Sequence, residues 1–542
     1  MTSPVATEAP APPFSNAAEP PDLTGRSRMA RNVLGGWVCQ FVFVISGFIM
    51  PRVVDRGIGQ EALGIWDLGW SILSYFGLVS LGIIGSISRH IARARATRDT
   101  EMLRATASTG MLIYLCTGTV VAILTFGTTY LAPVLFGERL GVRIVDAQWV
   151  ILLLGMSLTI QFYSAVSTGV LTGCHQWIWY NSINSGVHLL VAGGMITAIL
   201  MGFGLRSMAT ITLAGEITAA ILRLTVAYRC CPELRISPRY IRCTMARDMF
   251  GYGGKSMLYA VASVFMRETT RVMVLGYLGP AAVALYSRPL SLVRHGGAFG
   301  ARFAHVFAPT ASAYEVSGDL HGLRELMITA GRYALYMFLP MVLVLAISGR
   351  YVLQLWMGDR YDTGAVLAVI AVGNLPFLFQ LPTMEIIRGM NRHGVPSIAF
   401  LIIAGLGIPV TAFVLGHLRW RLVGGAFAGV APLAILYGAF IPVYACRLLG
   451  MSVVGYAVKT IPGPVVLNIP LVLSLVLAQV LWPDSIAANL LGGFGVGILL
   501  LSVLYWYCVI PLKKRLSVKR KLARLRTHFT DAIGLNHVAA RN

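Results

Sequence analysis

Stretches of about 18 to 25 consecutive apolar residues return along nearly the whole chain, each long enough as a helix to cross roughly 30 Å of hydrocarbon. The 542 residues are 56% hydrophobic and 12% charged, with a mean hydropathy of +0.72. A soluble chain carries about a quarter charged residues. The pattern therefore predicts an all-α, polytopic membrane protein with about 14 transmembrane helices. They are expected near 33–54, 64–86, 108–131, 148–172, 180–202, 207–228, 254–278, 282–310, 331–349, 364–387, 396–416, 422–446, 460–481 and 488–511.

The ends and loops set orientation. Residues 1–30 are Pro- and Ala-rich and read as a disordered tail, with no cleavable signal ahead of the first span. Lys and Arg favour one set of loops by roughly three to one, which predicts both termini in the cytoplasm. A net charge of +22 is compatible with nucleic acid, but the basic run "KKRLSVKRKLARLR" (Lys513 to Arg526) directly follows a span. There it reads as an anchor to anionic lipids, and no nucleic-acid partner is expected. The eight cysteines are scattered and read as buried, inert thiols in a reducing compartment. Neither metal-ligand spacing nor a catalytic motif is found, so no cofactor is expected and the chain does not read as an enzyme.

The chain repeats itself at an offset of about 220 residues. "GIGQEALGIWDL" (Gly57 to Leu68) aligns with "YLGPAAVALYSR" (Tyr277 to Arg288), "FGERL" with "MGDRY", and Asp99 with Asp319. "LTGCHQWIW" aligns with "IRGMNRHGV" further on. An even number of spans separates equivalent points, so the copies run parallel. Two six-helix bundles in pseudo-two-fold arrangement are expected, at 31–229 and 254–447. A cytoplasmic linker at 230–253, two extra helices within 448–511 and a basic tail at 512–542 complete the division.

Charge inside the expected spans is the sharpest functional signal, because each ionisable group at mid-membrane costs about 2.5–3.5 kcal/mol or more. The seventh span carries "VFMRETTRVMV", where Arg267, Glu268 and Arg271 can share one side of a helix. Glu268 can neutralise only one arginine. The eighth span adds Arg288, Arg294, His295 and Arg302, with the first, third and last of these seven apart on one stripe. Arg271 and Arg288 are expected roughly 10 Å below the turn at Gly279-Pro280, with Arg267 and Arg294 about one turn deeper. Two tiers of guanidinium facing a hydrated cavity between the bundles point to an anionic ligand, and the planar guanidinium fork suits phosphate. Asp67 and Arg52 in the first half, with Glu268 and His295, are candidates for gating or charge pairing. Asp67 could reach across to an arginine of the second half or pair locally at the rim. Glu216 with Arg223 and Glu385 with Arg388 are expected as buried pairs. Trp66, Trp70, Tyr75, Tyr163, Tyr259 and Tyr286 could face sugars or serve as interfacial aromatics.

The segment "ALGIWDLGWSILSYFGLVSLGIIGSISRHIARARATRD" (Ala62 to Asp99) resembles the first hairpin of bacterial polysaccharide-transporter flippases, the Wzx-type exporters of O-antigen and capsule units, at Leu63, Gly64, Trp66, Ser71, Gly82 and Arg89. "LYSRPLSLVRHGGAFGARFAHVFAPTAS" (Leu285 to Ser312) is similar to the eighth span of the related lipid II flippases, in which a basic residue meets the lipid pyrophosphate; Arg288 holds that place. The resemblance implies a flippase of the MOP superfamily that moves a polyprenyl-pyrophosphate-linked oligosaccharide by alternating access. Arg267, Arg271, Arg288 and Arg294 would bind its pyrophosphate, and a polysaccharide polymerase and glycosyltransferases would be its partners. Lipid II transport is the nearest alternative, and multidrug cation export is the second.

Overall fold

A computed structural model describes residues 29–80, 82–418, 420–510, 512 and 515. The expected N-terminal tail through residue 28 and the basic run Lys513 to Arg526, apart from Arg515, lie outside the described residues. Among the described residues there is no strand. The first half comprises α1 (Met29–Ile58), α2 (Gln60–Gly77), α3 (Ile83–Ala96), α4 (Thr100–Leu140), α5 (Ile144–Tyr163), α6 (Ala165–Gly173), α7 (Trp177–Leu200) and α8 (Leu205–Cys230). The second comprises α9 (Cys243–Leu278), α10 (Pro280–Ala304), α11 (Phe307–Val316), α12 (Leu320–Ile347), α13 (Gly349–Met357), α14 (Gly364–Gly389), α15 (Gly394–His417), α16 (Arg421–Ile435) and α17 (Ile441–Leu448). Three more helices follow: α18 (Val453–Thr460), α19 (Pro462–Leu481) and α20 (Val496–Cys508).

Several expected spans are filled by two helices: α2 with α3, α5 with α6, α10 with α11, and α16 with α17. Between α16 and α17 the helix widens into a π turn at Leu436–Phe440. Pro442 follows at once, and with no backbone N–H to give, it leaves a carbonyl one turn back without its helical partner. Eleven helical stretches among the described residues are long and apolar enough to cross a membrane; one of them, Thr100–Tyr163, comprises α4 and α5 joined by a single turn at Gly141–Arg143. Helices α9 and α10 are not among these eleven. They carry the arginines, and those charges dilute their apolar content.

The repeat is written into the turns. Gly59 and Gly279 precede α2 and α10 with φ of 93° and 86°, a region that only glycine enters without strain. Asp99 caps α4 by accepting from the Met102 N–H, and Asp319 caps α12 by accepting from the Gly322 N–H, each at 2.8 Å. His175 and Asn391 turn the chain before α7 and α15 with φ of 55° and 54°. The linker differs from the expected 230–253, because α9 begins at Cys243 and extends the seventh span well below its apolar part.

The halves meet where α2 packs against both α9 and α10. Gly64 makes this approach possible: the Pro280 carbonyl occupies the place a Cβ would take. The appended α19 packs on α12 and α20. Gln479 donates to the Ile347 carbonyl at 2.5 Å, and Tyr505 donates to the Tyr336 carbonyl at 3.0 Å. All eight cysteines are free. Cys174, Cys231 and Cys446 are buried as expected, whereas Cys116, Cys243 and Cys508 are exposed because they fall on outward helix faces or at helix ends.

Candidate functional site

The two expected tiers of arginine exist, but they differ chemically. The tier nearer the Gly279-Pro280 turn is paired. Arg271 donates to Glu268 one turn earlier on α9 at 2.6 Å, with both side chains only 8% exposed. It also reaches the Ser71 hydroxyl of α2 at 3.5 Å. Arg288 forms an ion pair with Asp67 across the halves. The local rim pair considered for Asp67 is therefore not formed. Pro289 interrupts the hydrogen-bond ladder of α10 just after Arg288.

Further contacts close the same side of the molecule, away from the start of α1. The Tyr361 hydroxyl donates to Asp55 Oδ1 at 2.8 Å, and both residues are buried. Trp356 Nε1 donates to the Phe48 carbonyl at 2.6 Å. Among the described residues Arg52 has no carboxylate within ion-pair distance, and it donates instead to the Leu355 carbonyl at 2.9 Å. Tyr75 and Thr269 share a 2.5 Å hydrogen bond below the ion pairs. His295 stacks on Phe48 with ring centroids 5.4 Å apart, so it packs the α1–α10 seam, and among the described residues no carboxylate lies within ion-pair distance of it.

The deeper tier is unpaired. Arg267 and Arg294 are exposed, and neither has a carboxylate within ion-pair distance among the described residues. Both line a cavity of about 320 Å3 together with Glu268 and Arg271. Tyr259, Tyr286, Asn374, Phe377 and Phe400 contribute to its wall. Three guanidinium groups face one carboxylate there. Every lining residue belongs to α9, α10, α14, α15 or α16. The expected chamber between the bundles is thus a chamber inside the second bundle. Arg288 is not on its wall. The reason is the docking of α2 onto α9 and α10, which brings the halves together at the level where they were expected to stand apart.

Of the other expected groups, Glu216 pairs with Arg223, and Glu385 accepts from Arg388 at 2.6 Å. Arg302 donates to Gln40 Oε1 of α1 at 3.1 Å. Trp70 is exposed and meets Trp66 edge-on. The Asp55–Tyr361 bond was missed by sequence reasoning. Its one signal in the sequence is an aspartate in the last turn of the first span, with Tyr361 lying in the repeat marker "MGDRY".

The family described as polysaccharide biosynthesis protein matches residues 102–365. A candidate O-antigen transporter of Shigella flexneri is 23% identical over 403 residues, covering 71% of this chain and 92% of that protein. The lipid II flippase MurJ, in an inward closed conformation, superposes with a TM-score of 0.64 at 13% identity over 89% of this chain and all of that one. A multidrug resistance MATE transporter of the MOP superfamily, in its inward-facing conformation, also gives 0.64, at 16% identity over 76% of this chain and 94% of that one. The chain shares its fold with these two proteins.

Proposed function

We propose that this chain is a polysaccharide transporter of the MOP superfamily and flips a polyprenyl-pyrophosphate-linked oligosaccharide across the bacterial inner membrane by alternating access. The observation that carries this reading is the pair of unpaired guanidinium groups, Arg267 and Arg294, on the wall of a cavity within a membrane-embedded bundle. Bare positive charge there is retained at a cost of several kcal/mol unless water or an anion meets it. A diphosphate answers both groups with charge-assisted, bidentate hydrogen bonds.

With both termini in the cytoplasm, the side locked by Asp67–Arg288 and Asp55–Tyr361 is the outer side. The diphosphate enters from the cytoplasm and binds Arg267 and Arg294, with Arg271 released from Glu268 as the charge arrives. Rocking of the halves then breaks the Asp67–Arg288 pair and frees Arg288 for the departing diphosphate. A cavity of about 320 Å3 is small for a ligand pocket. It fits a headgroup fragment, so the rest of the oligosaccharide needs the space opened between the halves. The prenyl tail remains in lipid, and a second, apolar cavity of about 310 Å3 lined by Leu335, Leu339, Leu375, Phe379, Tyr456 and Val465 offers it a groove beside α18 and α19. No bond is made or broken in this cycle. Polymerase and glycosyltransferases would act before and after it.

Export of a cationic drug fits poorly, because three arginines against one glutamate repel a cation. Lipid II is the second reading, favoured by the likeness to the lipid II flippase MurJ, which spans 89% of this chain against 76% for the MATE transporter. Deleting the gene and assaying surface polysaccharide, in parallel with rescue of cells depleted of their lipid II flippase, tests the assignment. Loss of surface polymer without rescue supports oligosaccharide transport; rescue of growth with polymer intact overturns it.

A further inference from the structure

A second basic recess lies on the side opposite the outer lock. It is a cleft of about 480 Å3 lined by Arg89, His90 and Arg93 of α3 and by Arg247, Asp248 and Gly251 of α9. Arg89 and Arg93 stand one turn apart and share a helix face. Arg93, Arg247 and Asp248 are all exposed, and neither Arg93 nor Arg247 has a carboxylate within ion-pair distance among the described residues. His90 Nδ1 is held by the Ser86 carbonyl at 2.8 Å, which fixes the ring and leaves Nε2 uncommitted by that bond. Arg93 and Arg247 against the one aspartate, Asp248, leave the cleft positive.

Basic residues at an inner membrane edge usually form an open band over lipid headgroups. Here they form a recess, and its two walls come from different halves of the molecule. Its α9 wall belongs to the same helix that carries Arg267 about 20 residues on, roughly 30 Å away along the axis. We propose that this cleft is a phosphate-ester site, at which the diphosphate of the lipid-linked substrate is first captured at the cytoplasmic mouth. A dianionic group held by Arg93 of one half and Arg247 of the other draws the two walls together. Loading thereby favours closure of the inner side before the headgroup moves on to Arg267. The identity of the carrier rests on the transport reading above; the anion site itself does not. The phosphodiester of a bilayer lipid offers related chemistry, and the experiment separates the two.

The full chain is placed in phosphatidylcholine nanodiscs and titrated with inorganic pyrophosphate. Two sites are expected. Arg93→Gln with Arg247→Gln weakens one of them at least about tenfold per arginine. Arg267→Gln with Arg294→Gln weakens the other and leaves the cleft's affinity unchanged. Because Arg93 and Arg247 are exposed, their removal empties no core, and Arg93→Lys with Arg247→Lys checks whether the guanidinium fork is needed. Repeating the titration with phosphatidylglycerol in the disc leaves pyrophosphate bound if the site is built for diphosphate. Unchanged binding in the Arg93→Gln, Arg247→Gln variant overturns the proposal, as does displacement of pyrophosphate from the cleft by phosphatidylglycerol. Failure of the central pair alone to bind would count against the transport reading and leave the cleft standing.

Discussion

Glu268 decides which of its neighbours is free. It lies three residues before Arg271 and next to Arg267, and helical geometry lets it meet the former side-on. That one arginine is left over was therefore legible from the spacing of three residues; that it is Arg267 comes from the structure. The identity of Arg288's partner was not, because Asp67 is 221 residues away and only the packing of α2 brings it near. Arg267→Ala and Arg294→Ala each remove charge-assisted hydrogen bonds worth about 1.5–3 kcal/mol to an anion. Surface polysaccharide export should fall about 10- to 100-fold with protein still present in the membrane fraction. Arg288→Ala acts differently, since it strands Asp67, a half-buried carboxylate whose side chain is 15% exposed. Removing one member of such a pair costs about 3–5 kcal/mol, and removing both costs less. The single variant should expose the outer seam, measured as faster thiol labelling of Ala282→Cys. Asp67→Ala with Arg288→Ala should label at a rate nearer the parent.

At the scale of helices, the apolar runs located most spans to within a few residues, since the hydrocarbon thickness sets their length. What they could not show is where a span breaks. The division of α10 from α11 and the π turn before α17 depend on local proline chemistry and packing, which hydropathy does not register. The early start of α9 was hidden for a similar reason, because a helix may continue past the membrane without staying apolar. The repeat was legible through Asp99 and Asp319, since a cap must sit at a fixed place in a helix. Gly64 tests the seam between elements. Gly64→Ala places a methyl group against the Pro280 carbonyl and should wedge α2 away from α10. The expected result is raised outer accessibility at Ala282→Cys and loss of export, with normal membrane levels. A Gly64→Ala protein that exports at the parental rate would show that the close approach is dispensable.

For the whole molecule, parallel bundles followed from counting spans between repeats, but the place of the cavity did not. Sequence put the arginines on two helices; only the packing of five helices decides that their shared space lies inside one bundle. An inside-negative potential contributes about 2.3 kcal/mol per charge per 100 mV to moving an anionic headgroup outward. Collapsing the potential with an ionophore should therefore slow transport in reconstituted vesicles. The central claim is that Arg267 and Arg294 receive a diphosphate during transport, and it is tested most directly in proteoliposomes. Flipping of a fluorescent polyprenyl-diphosphate oligosaccharide is followed for the parent and for Arg267→Ala with Arg294→Ala at equal protein density. The account predicts flipping by the parent and a rate at least about tenfold lower in the double variant; equal rates in the two would contradict it.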